Sequence, residues 1–513
     1  MLLPAPLPLL LLPFLLLLLL YTTLKYLQYA RLRAFPGPFS TGWSEIWHTR
    51  AILSMRSHVR YKEVTDKYGP IARIGPNELL TSSAPLLTHM SAVRSGYTRG
   101  AWFNRATRMQ PGQDHVFSQL DEGRHAKRRQ QMASGYSGKE NHALESAIDG
   151  RVEELLDLIR SKYLSTSTKA TPMDLARKIQ YFALDVISTI GFGQAFGDLK
   201  ADADLNDYIV SSEQGLAIVT LSGALGLTPI LQWPPVARLL GPSEKDKSGF
   251  GRMMGTARKL IDARLDQPTD KRSDMLASFM RHGLSREELF TEALLQILAG
   301  SDTTATALRG IMLYVLANPR VYAKLQAEID DVVSSGASSA SSVVSEATLR
   351  NMPYLQAVVR EGLRIRPPVT DAVPKLVPKG GDTVVIDGET VFLPGGTNIS
   401  YCAWGVHRNK QVFGDDADQF LPERWLLNEE DEHDRERLAA MKRTTELIFG
   451  YGKYQCLGKP VAWMEITKTL FEFLRHFDWS LATPEKPWRE TNYMGIFCGD
   501  DMWVLVHDRG VRG

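Results

Sequence analysis

The feature that most restricts what this chain can fold into is a long proline-free stretch in its second half. Ser285-Arg286-Glu287-Glu288 has the form of a capping box, in which the serine serves the orphan amides of a helix start and Glu288 reaches back to it. From there no proline occurs until Pro319. A helix of about 33 residues, roughly 50 Å long, is therefore available. Its middle, Ala293 to Gly300, is apolar except for Gln296. A helix so long and so apolar at its centre has to run through a core. One large fold can use the whole 513-residue chain, and no clean linker divides it.

The opening segment differs from the rest. Met1 to Leu24 carries no charge, Leu9 to Leu20 is nearly all leucine, and Lys25, Arg31 and Arg33 follow. A run of this length can cross a hydrocarbon core of about 30 Å. The basic flank belongs on the cytosolic side, which puts the N-terminus in the lumen. A cleaved signal fits less well, because no basic residue precedes the apolar run and no small-residue cleavage site ends it. Prolines at 4, 6, 8 and 13 place the start of the span near Pro6. Pro36-Gly37-Pro38 reads as a stiff hinge. The expected division is a membrane anchor over 1–24, a basic, Pro-rich hinge over 25–40, and a single catalytic domain over 41–513.

Strand signals are few. The best is a hairpin, Thr383 to Ile386 and Glu389 to Phe392, joined by Asp387-Gly388. A second short pair is expected near Ile71 to Leu80. Ser161 to Thr171 and Ser334 to Ser345 read as low-complexity surface loops. The fold class expected is mainly α with a minor β-sheet region. A formal charge of +2 gives no reason to expect a nucleic-acid partner. Three cysteines, all in the last quarter, form no disulfide framework and leave one free for chemistry.

The most informative stretch is Phe449-Gly450-Tyr451-Gly452-Lys453-Tyr454-Gln455-Cys456-Leu457-Gly458. Three glycines around one cysteine indicate a tight, closely approached backbone. Lys459 to Arg475 has helical periodicity, so Cys456 lies at a helix N-terminus, where amides and dipole favour a thiolate. A thiolate in such a loop is a soft ligand for iron. An inert buried cysteine and a catalytic nucleophile are the alternatives on these residues alone.

The loop resembles the haem-binding loop of the cytochrome P-450 family, F-x-x-G-x-R-x-C-x-G, with Phe449, Gly452, Cys456 and Gly458 matching and Tyr454 in place of the arginine. Glu361-Gly362-Leu363-Arg364, on a helix expected from Pro353 to before Pro367, resembles the family's E-x-x-R. Pro422-Glu423-Arg424-Trp425 resembles its P-E-R-F. Ala299-Gly300-Ser301-Asp302-Thr303-Thr304, in the long helix, resembles its A/G-G-x-D/E-T-T, and His125 with Arg129 its W/H-x-x-x-R. His407-Arg408 also matches a family pattern, without an assigned role. The form of the cysteine loop is similar to that of fungal microsomal members of secondary metabolism.

The resemblance implies a cytochrome P-450 fold preceded by one transmembrane helix, with haem as cofactor and Cys456 as iron ligand. It implies haem contacts from His125, Arg129, Phe449, Gly452 and Gly458, with Lys453 or the Tyr454 hydroxyl standing in for the missing arginine. Asp302 and Thr303 would be catalytic, feeding protons to dioxygen from a helix that opens locally. Glu361, Arg364 and Arg424 would form a buried structural network. Lys127 and Arg128 would be exposed and free to face an electron donor. The implied activity is hydroxylation or epoxidation of an apolar small molecule, with O₂ and an NADPH-cytochrome P-450 reductase, at the endoplasmic reticulum membrane. By position, Phe103 in the loop before the basic helix, Ala299, Val369 to Val373 and Ile496-Phe497 would line the pocket, and Leu221 to Leu240 would either dip into the bilayer as an access route or form a plain buried loop. A haem-thiolate isomerase or lyase, and a haem sensor or carrier, stay open as other classes.

Overall fold

The computed structural model describes residues 7–266, 272–336 and 342–510. The central helix spans Arg286–Leu316, and the Ser285–Glu288 capping box is formed in both directions. Twenty of its residues, Leu289 to Val315, are buried, so the apolar stretch threads the largest hydrophobic cluster as its composition requires. Helices Leu175–Phe192, Pro353–Ile365 and Lys459–His476 pack against it, and Leu144–Lys162 packs on the first and last of these.

Sheet is more extensive than the two pairs expected. A five-stranded sheet runs in the order Ile71–Gly75, Glu78–Thr81, Asn398–Cys402, Asp371–Leu376, Thr98–Arg99. Smaller sheets use the C-terminal strands up to Asp508, so His407 precedes several strands. The short strands lack clean alternation because both faces are covered: Ile71–Gly75 and Glu78–Thr81 are buried at every position. The expected hairpin is present as Asp382–Ile386 paired with Glu389–Leu393. Asp387 and Gly388 both have positive φ (50° and 86°), the geometry of a two-residue hairpin turn. Between Ser334 and Ser345, residues 337–341 lie outside the described residues, as do Met1 to Pro6 at the start of the anchor.

The first helix spans Leu7–Arg31, and its portion Leu12–Arg31 is long and apolar enough to cross a membrane. It runs on through Lys25, so the start of the segment expected to hinge is helical. That segment is also bonded down. The buried Arg73 guanidinium donates to the carbonyls of Tyr29 (3.1 Å) and Gln28 (3.3 Å), and to those of Gly42, Pro76 and Gly75. Two of the helix's last four carbonyls are thereby tied to the body, that of Tyr29 in addition to its bond from the Leu32 amide. Tyr29 stacks on Trp43 with ring centroids 4.4 Å apart.

Candidate active site

A cavity of about 1420 Å³ lies beside the central helix. Its walls bring together Ala299, Asp302, Thr303, His125, Arg129, Phe449, Cys456 and Gly458, which come from segments far apart in the chain. Gly452 is not on the wall; it shapes the loop. Gly450 and Gly452 have φ of 71° and 56°, and a Cβ on Gly452 would sit 2.2 Å from the Ser91 carbonyl oxygen. Only glycine lets the loop pass that close. The amide of Cys456 donates to the Phe449 carbonyl at 2.6 Å, which closes the turn. Gly458 then starts the helix Lys459–His476.

Of the three cysteines only Cys456 borders the cavity. Cys402 is sealed in a core cluster, its thiol pushed up to about 12 by burial. Burial also raises the Cys456 thiol, against the pull of the Gly458 and Lys459 amides and the Arg129 charge. The helix start and burial thus act in opposite directions on the Cys456 proton. A bound metal ion removes that proton outright.

The cavity edge is cationic, with the Glu122 carboxylate the nearby opposing charge for Arg99 and Lys375. Arg99, Arg129 and Lys375 border it, and none forms an ion pair among the described residues. Arg99 donates to the Val116 and Gln119 carbonyls and meets His125 Nε2 at 2.8 Å. Lys375 is buried, which drives its ammonium far below the usual lysine range, with the Arg99 charge adding to the effect. Such groups need an anion. Tyr454 and Lys453, expected to stand in for the missing arginine, both have protein partners. The Tyr454 hydroxyl donates to Glu122 at 2.6 Å, and Lys453 Nζ is held by the Ser95 and Tyr97 carbonyls. Instead the Tyr454 ring is a platform, with Lys375 Nζ 3.3 Å and the Arg99 guanidinium 4.8 Å from its centroid. Arg99 and Lys375 were not singled out from sequence, because strand pairing between Thr98–Arg99 and Asp371–Leu376 is what brings them together.

Along the cavity wall, Val373 has φ of +45° where the strand register shifts between Ala372 and Lys375, and Met494 has φ of +48°. A β-branched residue in that region is strained, and strain of this kind gathers at ligand sites. Ile496 and Val369 also line the wall. Phe497 does not: it is buried against His58 and the Arg366 guanidinium. Phe103 lines the cavity from a short helix, Ala101–Ala106, not from a loop.

Asp302 and Thr303 diverge. The Asp302 carboxylate is buried and accepts from Gln180 Nε2 at 2.6 Å, while the other end of that amide accepts from Arg309. Burial raises its carboxyl to about 6, against the pull of Gln180 and Arg309. Thr303 borders the cavity, its hydroxyl donating to the Ala299 carbonyl at 2.9 Å. The local opening expected here is not formed; the helix is continuous, and the hydroxyl that could have competed with it bonds back within it.

Behind the cysteine loop the Glu361 network is complete. Glu361 accepts from Arg364 (2.8 and 2.8 Å), Arg424 (3.0 Å), Trp425 Nε1 (2.9 Å) and the Leu421 amide (2.8 Å). Arg364 also donates to the carbonyls of His407, Ala417 and Gln419. Glu361 and Arg364 are wholly inaccessible to solvent. Arg128 is not the free surface cation expected; it is paired with Glu288 and Glu292 of the central helix. Arg124 and Lys127 on the same helix are exposed.

A thiol loop, an acid and an alcohol, and cations without ion-pair partners border one cavity. The cytochrome P450 family model matches residues 36–500, and the chain belongs to that family. It is 41% identical over 498 residues to "Cytochrome P450 monooxygenase ABA1" of Pyricularia oryzae, covering 95% of each chain. It is 37% identical to "Cytochrome P450 monooxygenase aba1" of Botryotinia fuckeliana, covering 93% of this chain and 92% of that one. It is 36% identical to "Cytochrome P450 monooxygenase abl1" of Leptosphaeria maculans, covering 92% and 82%. The activity is that of a P450 monooxygenase, and the cofactor is haem with a cysteine thiolate on its iron. The residues present fit that group: one open thiol, and unpaired buried cations for its carboxylates.

Proposed function

We propose that Cys456 is the iron ligand and that Arg99, His125, Arg129 and Lys375 hold the haem carboxylates, with the Tyr454 ring in place of the family's arginine. Haem, when bound, supplies dioxygen activation and electron transfer. The chain supplies the rest. Phe449, Gly452 and Gly458 shape the loop that presents the sulfur. Thr303 offers a hydroxyl at the cavity wall, and Asp302, its carboxyl raised to about 6, can release and regain a proton near neutrality. Glu361, Arg364 and Arg424 brace the fold beneath. The apolar walls exclude water and favour an apolar small organic substrate, hydroxylated or epoxidised in secondary metabolism.

The helix Leu7–Arg31 anchors the enzyme in the endoplasmic reticulum membrane, with the body cytosolic. Exposed Leu225, Leu227, Ile230, Trp233, Leu239 and Leu240 support contact of this flank with lipid. Arg124 and Lys127 offer a surface to an acidic NADPH-dependent reductase. The observation that carries this reading is the single cavity joining the thiol, the unpaired cations and the acid–alcohol pair. The pair supports oxygen chemistry over an isomerase or lyase, which has no use for a proton relay. The test is NADPH and O₂ consumption with a reductase, together with products heavier by one oxygen. Rearranged product without NADPH would replace this reading.

A further inference from the structure

One wall of the cavity is a stretch of chain outside any helix or strand. Residues 107–121 join the helix Ala101–Ala106 to the helix Glu122–Tyr136, and Val116 and Phe117 among them border the cavity. A connection this long inside a compact enzyme is uncommon unless it serves a site. Its own bonds give it a shape. Arg108 is bidentate on Asp114 at 2.6 and 2.7 Å, and Asp114 accepts from the Ser118 hydroxyl at 2.9 Å. The His115 ring bonds the Thr107 carbonyl and the Ser118 amide. None of these bonds fixes where that shape stands against the rest of the molecule.

Among the described residues, three side chains from elsewhere bond to the loop. Gln232 donates to the Arg108 carbonyl at 3.2 Å. The other two meet on one residue. The Val116 amide donates to Glu292 of the central helix at 2.7 Å, and the Val116 carbonyl accepts from Arg99 at 2.8 Å. Arg99 also reaches the Gln119 carbonyl, at 2.9 Å. Glu292 is wholly buried, and the oxygen that takes the Val116 amide accepts from Arg128 as well, at 2.6 Å. Burial raises this carboxyl to about 7, against the pull of Arg128 and the Val116 amide. The shared oxygen can accept with or without a proton on the other one, so the grip on the loop does not require the charge. A buried side chain on a continuous helix, held from a second side, is a firm point from which to place a loop.

We infer that Glu292 is a positioning residue for substrate: through the Val116 amide it sets where Val116 and Phe117 stand at the cavity wall. Arg99, assigned above to the haem carboxylates, holds the same residue by its carbonyl. The inference rests on the cavity being the haem and substrate site, and adds to that site a residue that touches neither. The wall is thereby referred to the central helix and to the cofactor at once. Displacements of about 1 Å in such a wall change turnover far more than they change stability.

Two variants separate this role from that of an ion pair bracing the fold. Glu292→Asp keeps the charge beside Arg128 and withdraws the oxygen from the Val116 amide by one methylene. Glu292→Gln keeps the reach and drops the charge. Full-length, haem-loaded protein is titrated with imidazole, which reads little beyond the iron, and with 4-phenylimidazole, whose ring also needs the wall. The haem difference spectrum follows both. Glu292→Asp should weaken 4-phenylimidazole about 4- to 15-fold, the worth of one or two methylenes of contact, and leave imidazole unchanged. Hydrogen exchange across 107–121 should become about 3- to 10-fold faster in the same variant, the range of one lost hydrogen bond. Glu292→Gln should match the wild type in both readouts. An impaired Gln variant beside an intact Asp variant, or two variants that behave alike, overturns the inference and leaves the P450 assignment standing. Failure of the wild type to bind either imidazole overturns the cavity as the haem site, and the inference with it.

Discussion

The surroundings of Glu361 and the wall formed by residues 208–240 treat polar atoms in opposite ways. Around Glu361 three charged side chains are sealed from solvent and each polar atom is bonded, largely to backbone carbonyls that can point nowhere else. On the wall, the Thr220 hydroxyl and the Gln232 side-chain oxygen are left without partners, prolines stand at the helix starts, and leucines face outward. The first region fixes a geometry. The second leaves polar atoms unpaired and apolar side chains exposed. One chain thus spends its hydrogen bonds unevenly between the two.

The sharpest way to break this contrast is at the sulfur. Cys456→Ser should abolish the thiolate-dependent Soret band of the reduced, carbon monoxide-bound form along with turnover; retention of both would remove the ligand assignment. Next in size is Glu361→Gln, which strands Arg364 and Arg424 and should cost about 3–5 kcal/mol, so that protein is recovered largely without haem. Denaturant melts of the purified variant measure this, and a cost below about 1 kcal/mol would show that the network is not fixing the fold.

Asp302→Asn tests the boundary between the two regions. Its folded carboxyl titrates at about 6 against an ordinary 3.8, so the native state keeps the proton longer than the unfolded chain. The wild type therefore loses stability as pH rises from about 4 to about 6, and the loss stays constant above. The variant should escape this, gaining on the order of 1–3 kcal/mol at neutral pH, while product formed per NADPH falls. Thermal melts across that pH range would contradict the expectation if the gain were largest in acid. The smallest change in stability belongs to the wall: Leu225→Ser with Trp233→Ser should shift it by less than about 0.5 kcal/mol each, because both are exposed. Flotation with vesicles should nevertheless show weaker membrane binding.

The parts legible in the sequence are those written within a few residues. Ser285 and Glu288 announce a helix start, Asp387-Gly388 a hairpin, and Glu361 and Arg364 share a helix face by spacing alone. The parts that were not legible depend on distant segments meeting. Arg99 and Lys375 each look like an ordinary strand cation until the strands pair. Arg128 looks solvated until the central helix brings Glu288 and Glu292 to it. Tyr454 was read for its hydroxyl, whereas the ring is what the neighbouring cations use. The burial that opposes the helix start at Cys456 is likewise not written in a local pattern.

Arg73 has a practical bearing on how this enzyme can be cut. Its side chain is buried and spread over five carbonyls, two of which belong to Gln28 and Tyr29. A soluble version that begins after Arg31 takes those two acceptors away and leaves a guanidinium inside the body short of partners. A version that begins just before Lys25 sheds the leucine-rich turns and keeps the lock intact. The version that keeps Lys25 to Arg31 is expected to melt at the higher temperature of the two.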